Sequence, residues 1–309
     1  MNDILVLGGS NIDYVATSRK AIVWKDSNIG HIRISYGGVG RNVVENLARL
    51  RNRVTFLTGL SDDVLSLGLK KELEELGAKV LSPRLPYPTG SYVAVNDDKG
   101  EMQVAVCDSD FMDHMKLSDL LPFDSFFRQH RNIVLEANLN AALIHDLVER
   151  YPDRKFFAEG VSANKVGRFL SVLPKLTLFK SNTLEASYLL GTKEEPRKLV
   201  EDILETGCAN VVLTQGASPI VYGSRKEGLG ETEVLPCNDI VSVNGAGDSL
   251  FAGLIHGLSH GQSLKESIRF GARMSFYTLH SPSAVDPHID AILEEFPWSK
   301  KEGNDSWNL

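Results

Sequence analysis

The sequence predicts an α/β fold: a three-layer α/β/α sandwich with a mostly parallel central sheet, joined by a small separate β-sheet. Two observations predict it. Short apolar runs alternate with helix-period segments along most of the chain, as expected of strand–helix units with helices on both sheet faces. Two stretches then break that rhythm with two-residue alternation, the mark of half-buried strands.

Taken in order, Ile4–Leu7, Thr55–Leu57, Ile133–Leu135, Phe156–Ala158, Leu176–Phe179 and Val211–Thr214 read as buried strands. Val39–Leu50, Val64–Leu76, Ala141–Arg150, Leu199–Glu205 and Ala246–Leu258 read as helices. In the first of these, Val39, Val43, Val44, Leu47 and Leu50 fall on one face. The first exception is Gly30–Tyr36, where Ile32, Ile34 and Tyr36 alternate with His31, Arg33 and Ser35. The second is Tyr92–Asn96 and Met102–Val106, flanking Asp97-Asp98-Lys99-Gly100, a hairpin turn. Short antiparallel strands inserted at about 14–36 and 86–107 are therefore expected to form a lid on a single domain over 1–298. From Ser299 to Leu309 the chain turns polar and reads as a tail.

The 309 residues are 42% hydrophobic and 24% charged, with a formal net charge of −7. That suits a globular protein with a sizeable core and argues against a nucleic-acid partner, which calls for a basic stripe. No apolar run reaches the length of a membrane span, and Ile4–Leu7 is too short for a signal peptide. A cytoplasmic location is expected, and the last three residues are not a clear peroxisomal address. Cys107, Cys208 and Cys237 form no CxxC pair and read as buried or half-buried free thiols.

Five segments carry chemistry. Gly245-Ala246-Gly247-Asp248 opens an apolar helix. Small residues there let a ligand approach the backbone, and free N–H groups at a helix start suit a phosphate. Beside a phosphate, Asp248 is electrostatically awkward unless it takes a proton from an attacking hydroxyl; the plain alternative is a first-turn acid. Gly37-Gly38 precedes Asn42, and the backbone there could meet a polyhydroxylated ligand. Asn11 and Asp13, two apart after the first strand, face one side and could hold a vicinal diol. Asn182 and Glu185, three apart after Lys180, could hold magnesium through water or form only a capping pair. Thr214 and Gly216 end another strand and could pass under a nucleotide.

The order of these segments resembles the ribokinase-like (PfkB) carbohydrate kinase family, from Ile4 to about Ser281. The resemblance implies a ribokinase-like fold, ATP and Mg2+ as cofactors, Asp248 as base and Gly245, Ala246 and Gly247 as the anion hole. It places Lys180, Asn182, Thr214 and Gly216 at ATP, with Asn182 and Glu185 at the metal. Asp26-Ser27-Asn28, Arg41-Asn42 and Val161-Ser162-Ala163 are most similar to the branch that phosphorylates the 5′-hydroxyl of pseudouridine. That branch implies Asn11, Asp13, Gly37, Gly38 and Asn42 at the ribose, and Asp26, Ser27, Thr89 and Tyr92 near the base. It also implies a homodimer through the lid sheet. Other substrates of the family, ribose or adenosine, are the alternative, and from a different class a silent binding subunit. Three departures stand out. Ser242 replaces an aspartate that in many members helps hold a monovalent cation, so the carboxylate for K+ is missing. Ser181 and Gly160 stand where proline is usual.

Overall fold

The computed structural model describes residues 3–298; the expected tail, 299–309, lies outside them. Thirteen strands run in chain order through these residues: β1 (Ile4–Leu7), β2 (Asn11–Ser18), β3 (Gly30–Gly37), β4 (Val54–Leu57), β5 (Lys79–Leu81), β6 (Gly90–Asn96), β7 (Met102–Asp108), β8 (Asn132–Glu136), β9 (Lys155–Glu159), β10 (Leu176–Asn182), β11 (Asn210–Gln215), β12 (Ser218–Ser224) and β13 (Gly228–Thr232). The principal helices are α1 (Val39–Arg49), α2 (Val64–Glu75), α3 (Ala141–Arg150), α4 (Thr183–Leu190), α5 (Pro196–Glu205), α6 (Ala246–Ser259) and α7 (Leu264–Leu279).

The large sheet has the order β13-β12-β11-β10-β9-β8-β1-β4-β5. It is parallel from β5 to β11 and ends in the antiparallel pair β12 and β13. Strand alternation builds the sandwich. On β1, Leu5 and Leu7 join one core with α3, α4 and α5, while Ile4 and Val6 join the other with α1, α2, α6 and α7. The same split recurs on β8, where Ile133 and Leu135 face one way and Val134 the other. The central strands β1, β4 and β8 thus bury both faces, which is why their runs read as continuously apolar.

The second sheet has the order β3-β2-β6-β7. It differs from expectation in being mixed. The hairpins β2–β3 and β6–β7 are antiparallel, but β2 and β6 run parallel. Both strands leave the body from the same edge, Asn11 beside Gly90, so their directions must agree. The first lid strand also begins at Asn11 rather than near residue 14, which puts Asn11 and Asp13 on the lid itself.

One face of this sheet is apolar and exposed. Val93 pairs with Val106, Tyr14 with Ile34, and Val95 with Val104. Among them Ile34 is 49% and Val106 65% exposed. Cys107, on the opposite face, is also exposed, against expectation; Cys208 is buried and Cys237 half-buried. No helix of the described residues is long and apolar enough to cross a membrane.

Candidate active site

The carboxyl ends of the parallel strands form one edge of the large sheet, where ligands collect in open α/β folds. Most residues singled out in the sequence lie along it or on the lid strand that rises from it. β1 feeds Gly8-Gly9-Ser10, which packs directly on the start of α1. A Cβ on Gly40 would lie 2.8 Å from the Gly8 carbonyl carbon, and one on Gly38 2.6 Å from Gly9 O. Gly38 also has a φ of 100°, in the region that favours glycine. Arg41 N donates to Gly9 O at 3.2 Å, so the loop and helix move as one body.

Asn11 and Asp13 share a face of β2, as their spacing requires. Asp13 leans over Gly37, where a Cβ would lie 2.0 Å from Oδ2. Burial raises the Asp13 carboxyl to about 6, against the pull of the Arg41 cation. Asn11 Oδ1 sits against Gly90 in the same way, at 2.6 Å from a Cβ there.

At the other wall, Gly245 caps α6 with a φ of 79° and a Cβ there would strike Ala284 O, so no other residue fits. Asp248 lies in the first turn, half-buried and open to the cleft. Its Oδ2 accepts a hydrogen bond from Asn42 Nδ2 at 2.8 Å. This bond joins α1 to α6 across 206 positions of sequence. Desolvation raises the Asp248 carboxyl, while Asn42 and the Lys180 ammonium pull it down. An acid held above the ordinary range yet tied to a donor is suited to exchanging a proton.

Lys180 lies two residues before the end of β10, beside the start of α6. A Cβ on Gly247 would lie 3.1 Å from Lys180 Nζ. The ammonium is buried and paired with Glu159 Oε1 at 2.9 Å, while Glu159 Oε2 is buried without a hydrogen-bond partner. Burial raises Glu159 even with that cation beside it. Asn182 and Glu185 form the capping box of α4: Asn182 Oδ1 accepts from Glu185 N at 2.8 Å and Glu185 Oε2 from Asn182 N at 2.9 Å. Among the described residues no group of three or more His, Cys, Asp or Glu could hold a metal ion alone. Glu185 is buried and accepts from Asn182 on both oxygens, its Oε1 from Asn182 Nδ2 at 2.7 Å, so the pair suits a magnesium ion only through that ion's waters. Thr214 is level with Asn182 in the β10–β11 register, and Gly216 turns next to it with a φ of 63° and open space around it.

The residues read as base contacts are spread differently. Tyr92 pairs with Asp13 on the lid and lies with it. Thr89 is not brought into the cleft: it is buried, its hydroxyl bonded to Ser61 N at 2.8 Å and to Ser66 Oγ at 2.6 Å. Asp26 and Ser27 lie in the connection between β2 and β3, exposed, at the end of the hairpin remote from Asn11. Within one chain they do not meet Asp248.

Sequence reasoning missed three groups. Glu136, buried at the end of β8, accepts from Gly9 N at 2.5 Å and Asn138 N at 2.8 Å, and burial pushes it up to about 7. Glu159 occupies the same place on β9. The signal was available: a carboxylate directly closing a buried apolar strand has no plain structural use. Arg41 was noted only as part of a motif.

A cleft that sets a raised carboxylate at a glycine-lined helix start, with the acid and amide of β2 nearby, suits a phosphotransferase acting on a hydroxyl group. The chain belongs to the pfkB carbohydrate kinase family, whose model matches residues 1–291. It is a kinase of sugars or nucleosides. It is 28% identical to the pseudouridine kinase of Escherichia coli over 93% of both chains. It is 25% identical to the guanosine-inosine kinase of Exiguobacterium acetylicum over 94% of this chain and all of that one. The ribokinase of Thermotoga maritima has the same fold, with a TM-score of 0.84 and 18% identity, over 95% of this chain and all of that one.

Proposed function

We propose that the protein transfers a phosphoryl group from ATP to the 5′-hydroxyl of pseudouridine. The observation that carries the reading is the Asn42–Asp248 hydrogen bond, which ties a base candidate to α1, the helix whose Arg41 cation also acts on Asp13 of β2. Asp13 and Asn11 hold the ribose diol, and Asp248 then takes the proton of the 5′-hydroxyl as that oxygen attacks phosphorus. The amides at Gly245, Ala246 and Gly247 and the Lys180 ammonium stabilise negative charge on the transferred group. Bound with ATP, magnesium would supply further charge neutralisation, with Asn182 and Glu185 facing it. Thr214 and Gly216 border the nucleotide. The choice of nucleoside rests on the similarity to the E. coli enzyme together with Asp26-Ser27-Asn28 and Arg41-Asn42. Asp26, Ser27 and Asn28 are remote from Asp248 in one chain, and the exposed apolar face of the lid sheet supports a homodimer formed through it.

The test is ADP release with ATP and magnesium, comparing pseudouridine, uridine, guanosine, inosine, adenosine and ribose at equal concentration. Pseudouridine turnover well above the rest is expected. Faster turnover of inosine or guanosine would move the substrate to the other nucleoside relative, and turnover of none would favour a silent binding subunit.

A further inference from the structure

We propose that Arg41 is a positioning residue, which fixes the side-chain amide of Asn42 so that its NH2 group, and not its carbonyl, faces Asp248. The inference rests on the role given to Asp248 above. Arg41 is buried at the start of α1. One nitrogen of its guanidinium lies 2.6 Å from Glu45 Oε2 and 2.6 Å from Glu72 Oε1. The other terminal nitrogen donates to Asn42 Oδ1 at 3.2 Å. Asn42 Nδ2 donates in turn to Asp248 Oδ2 at 2.8 Å.

An asparagine amide has nearly the same shape either way round, so its orientation is set by its neighbours. Here a donor on one side and an acceptor on the other allow a single choice. Remove the donor and the amide is free to turn its oxygen toward the carboxylate, a contact between two acceptors. The planar fork of arginine makes the arrangement possible: it serves the two glutamates and the amide together, which a point charge on a single ammonium does not. Two negative groups hold the fork in place, so the orientation is built into the unliganded protein. The same cation also opposes the raised carboxyl of Asp13, so one side chain acts on both walls of the cleft. The charged groups that also face Asp248 are Lys180, Glu136 and Glu159, none of which touches the Asn42 amide oxygen.

The variants Arg41→Met and Arg41→Lys test this, with the titration of the Asp248 carboxyl followed by 13C NMR in the free protein and assigned by its loss in Asp248→Asn. The pH profile of kcat is measured alongside. In folded Arg41→Met the Asp248 titration and the acid limb of kcat are expected to move up together by about one pH unit, a roughly tenfold loss of ionised base on that limb. Arg41→Lys keeps a cation between Glu45 and Glu72, so it recovers melting temperature but retains the shifted limb. A merely structural role would lower the melting temperature and leave both titrations in place, and that result in either folded variant overturns the proposal. If Arg41→Met does not fold, Arg41→Lys decides alone. If the wild type turns over no nucleoside or sugar, the functional reading falls, and the 13C titration still decides whether Arg41 sets Asp248.

Discussion

Gly37→Ala is the sharpest probe of the substrate cradle. Gly37 is in ordinary extended backbone, so alanine costs nothing in φ. What it meets is Asp13: the new Cβ would lie 2.0 Å from Oδ2 and 2.7 Å from Cγ, where ordinary contact begins at 3.4 Å. The carboxylate must withdraw by about 1.4 Å, and as the free end of a side chain it can do so without unfolding the lid. A displacement of that size at a group that orients a reactant costs on the order of 100-fold in rate. The assay is kcat/KM for pseudouridine at saturating ATP, beside thermal melting and the KM for ATP. We expect a loss of about 100-fold in kcat/KM, an unchanged KM for ATP and a melting temperature close to wild type. The loss should vanish in an Asp13→Ala background, because the two changes act on one group. A Gly37→Ala enzyme within about threefold of wild type would refute the placement of Asp13 at the substrate.

Five further outcomes follow from the same geometry. Asp248→Asn should lower kcat by at least ~100-fold with little change in nucleoside affinity, read by steady-state kinetics and calorimetry. The Asp13 carboxyl, raised from 3.8 to about 6, should make nucleoside binding tighten as pH rises through 6. Its sign for stability is the reverse: ionising a carboxyl whose pKa is higher folded than unfolded costs the folded state between those values, so Asp13→Asn should melt above wild type at pH 8 and not at pH 4. Lys180→Met strands the buried Glu159, and should cost about 3 kcal/mol in denaturant unfolding and raise the KM for ATP more than tenfold. Val106→Glu, on the exposed lid face, should turn the proposed dimer into a monomer by light scattering.

Six of the seven parallel strands were legible because burial on both faces leaves an unbroken apolar run, as in Ile4–Leu7; the seventh, β5 at the sheet edge, is three residues long and opens on an exposed lysine. β12 and β13 were not, since Ser218–Ser224 contains proline and glycine and Gly228–Thr232 carries glycine at alternate positions. Helix α7 also escaped, its polar Lys265, Glu266 and Arg269 diluting the apolar stripe. At the site, Asn11, Asp13, Asn42 and Asp248 were readable because each sits in a local pattern with a chemical use. Glu136 and Glu159 each close an apolar run, a local signal, but that they lie side by side emerges only from the strand order, which no single segment records. Thr89 shows the converse: a polar residue in the right place in the chain, spent on bonds to Ser61 and Ser66. The Asn42–Asp248 bond spans 206 positions and leaves no trace in local spacing.

The row in which Asn11 pairs with both Gly37 and Gly90 is where the small sheet joins the body. Two of its three members have no side chain to resist rotation, so this row is the natural axle of the sheet. The eight residues of β2 give a lever of roughly 25 Å beyond it. A rotation of about 10° would carry the tip, near Asp26 and Ser27, through about 4 Å, while Asn11 scarcely moves. The substrate contacts proposed for Asn11 would therefore stay in place through such a swing of the sheet, and most of the travel would go to the residues farthest from Asp248.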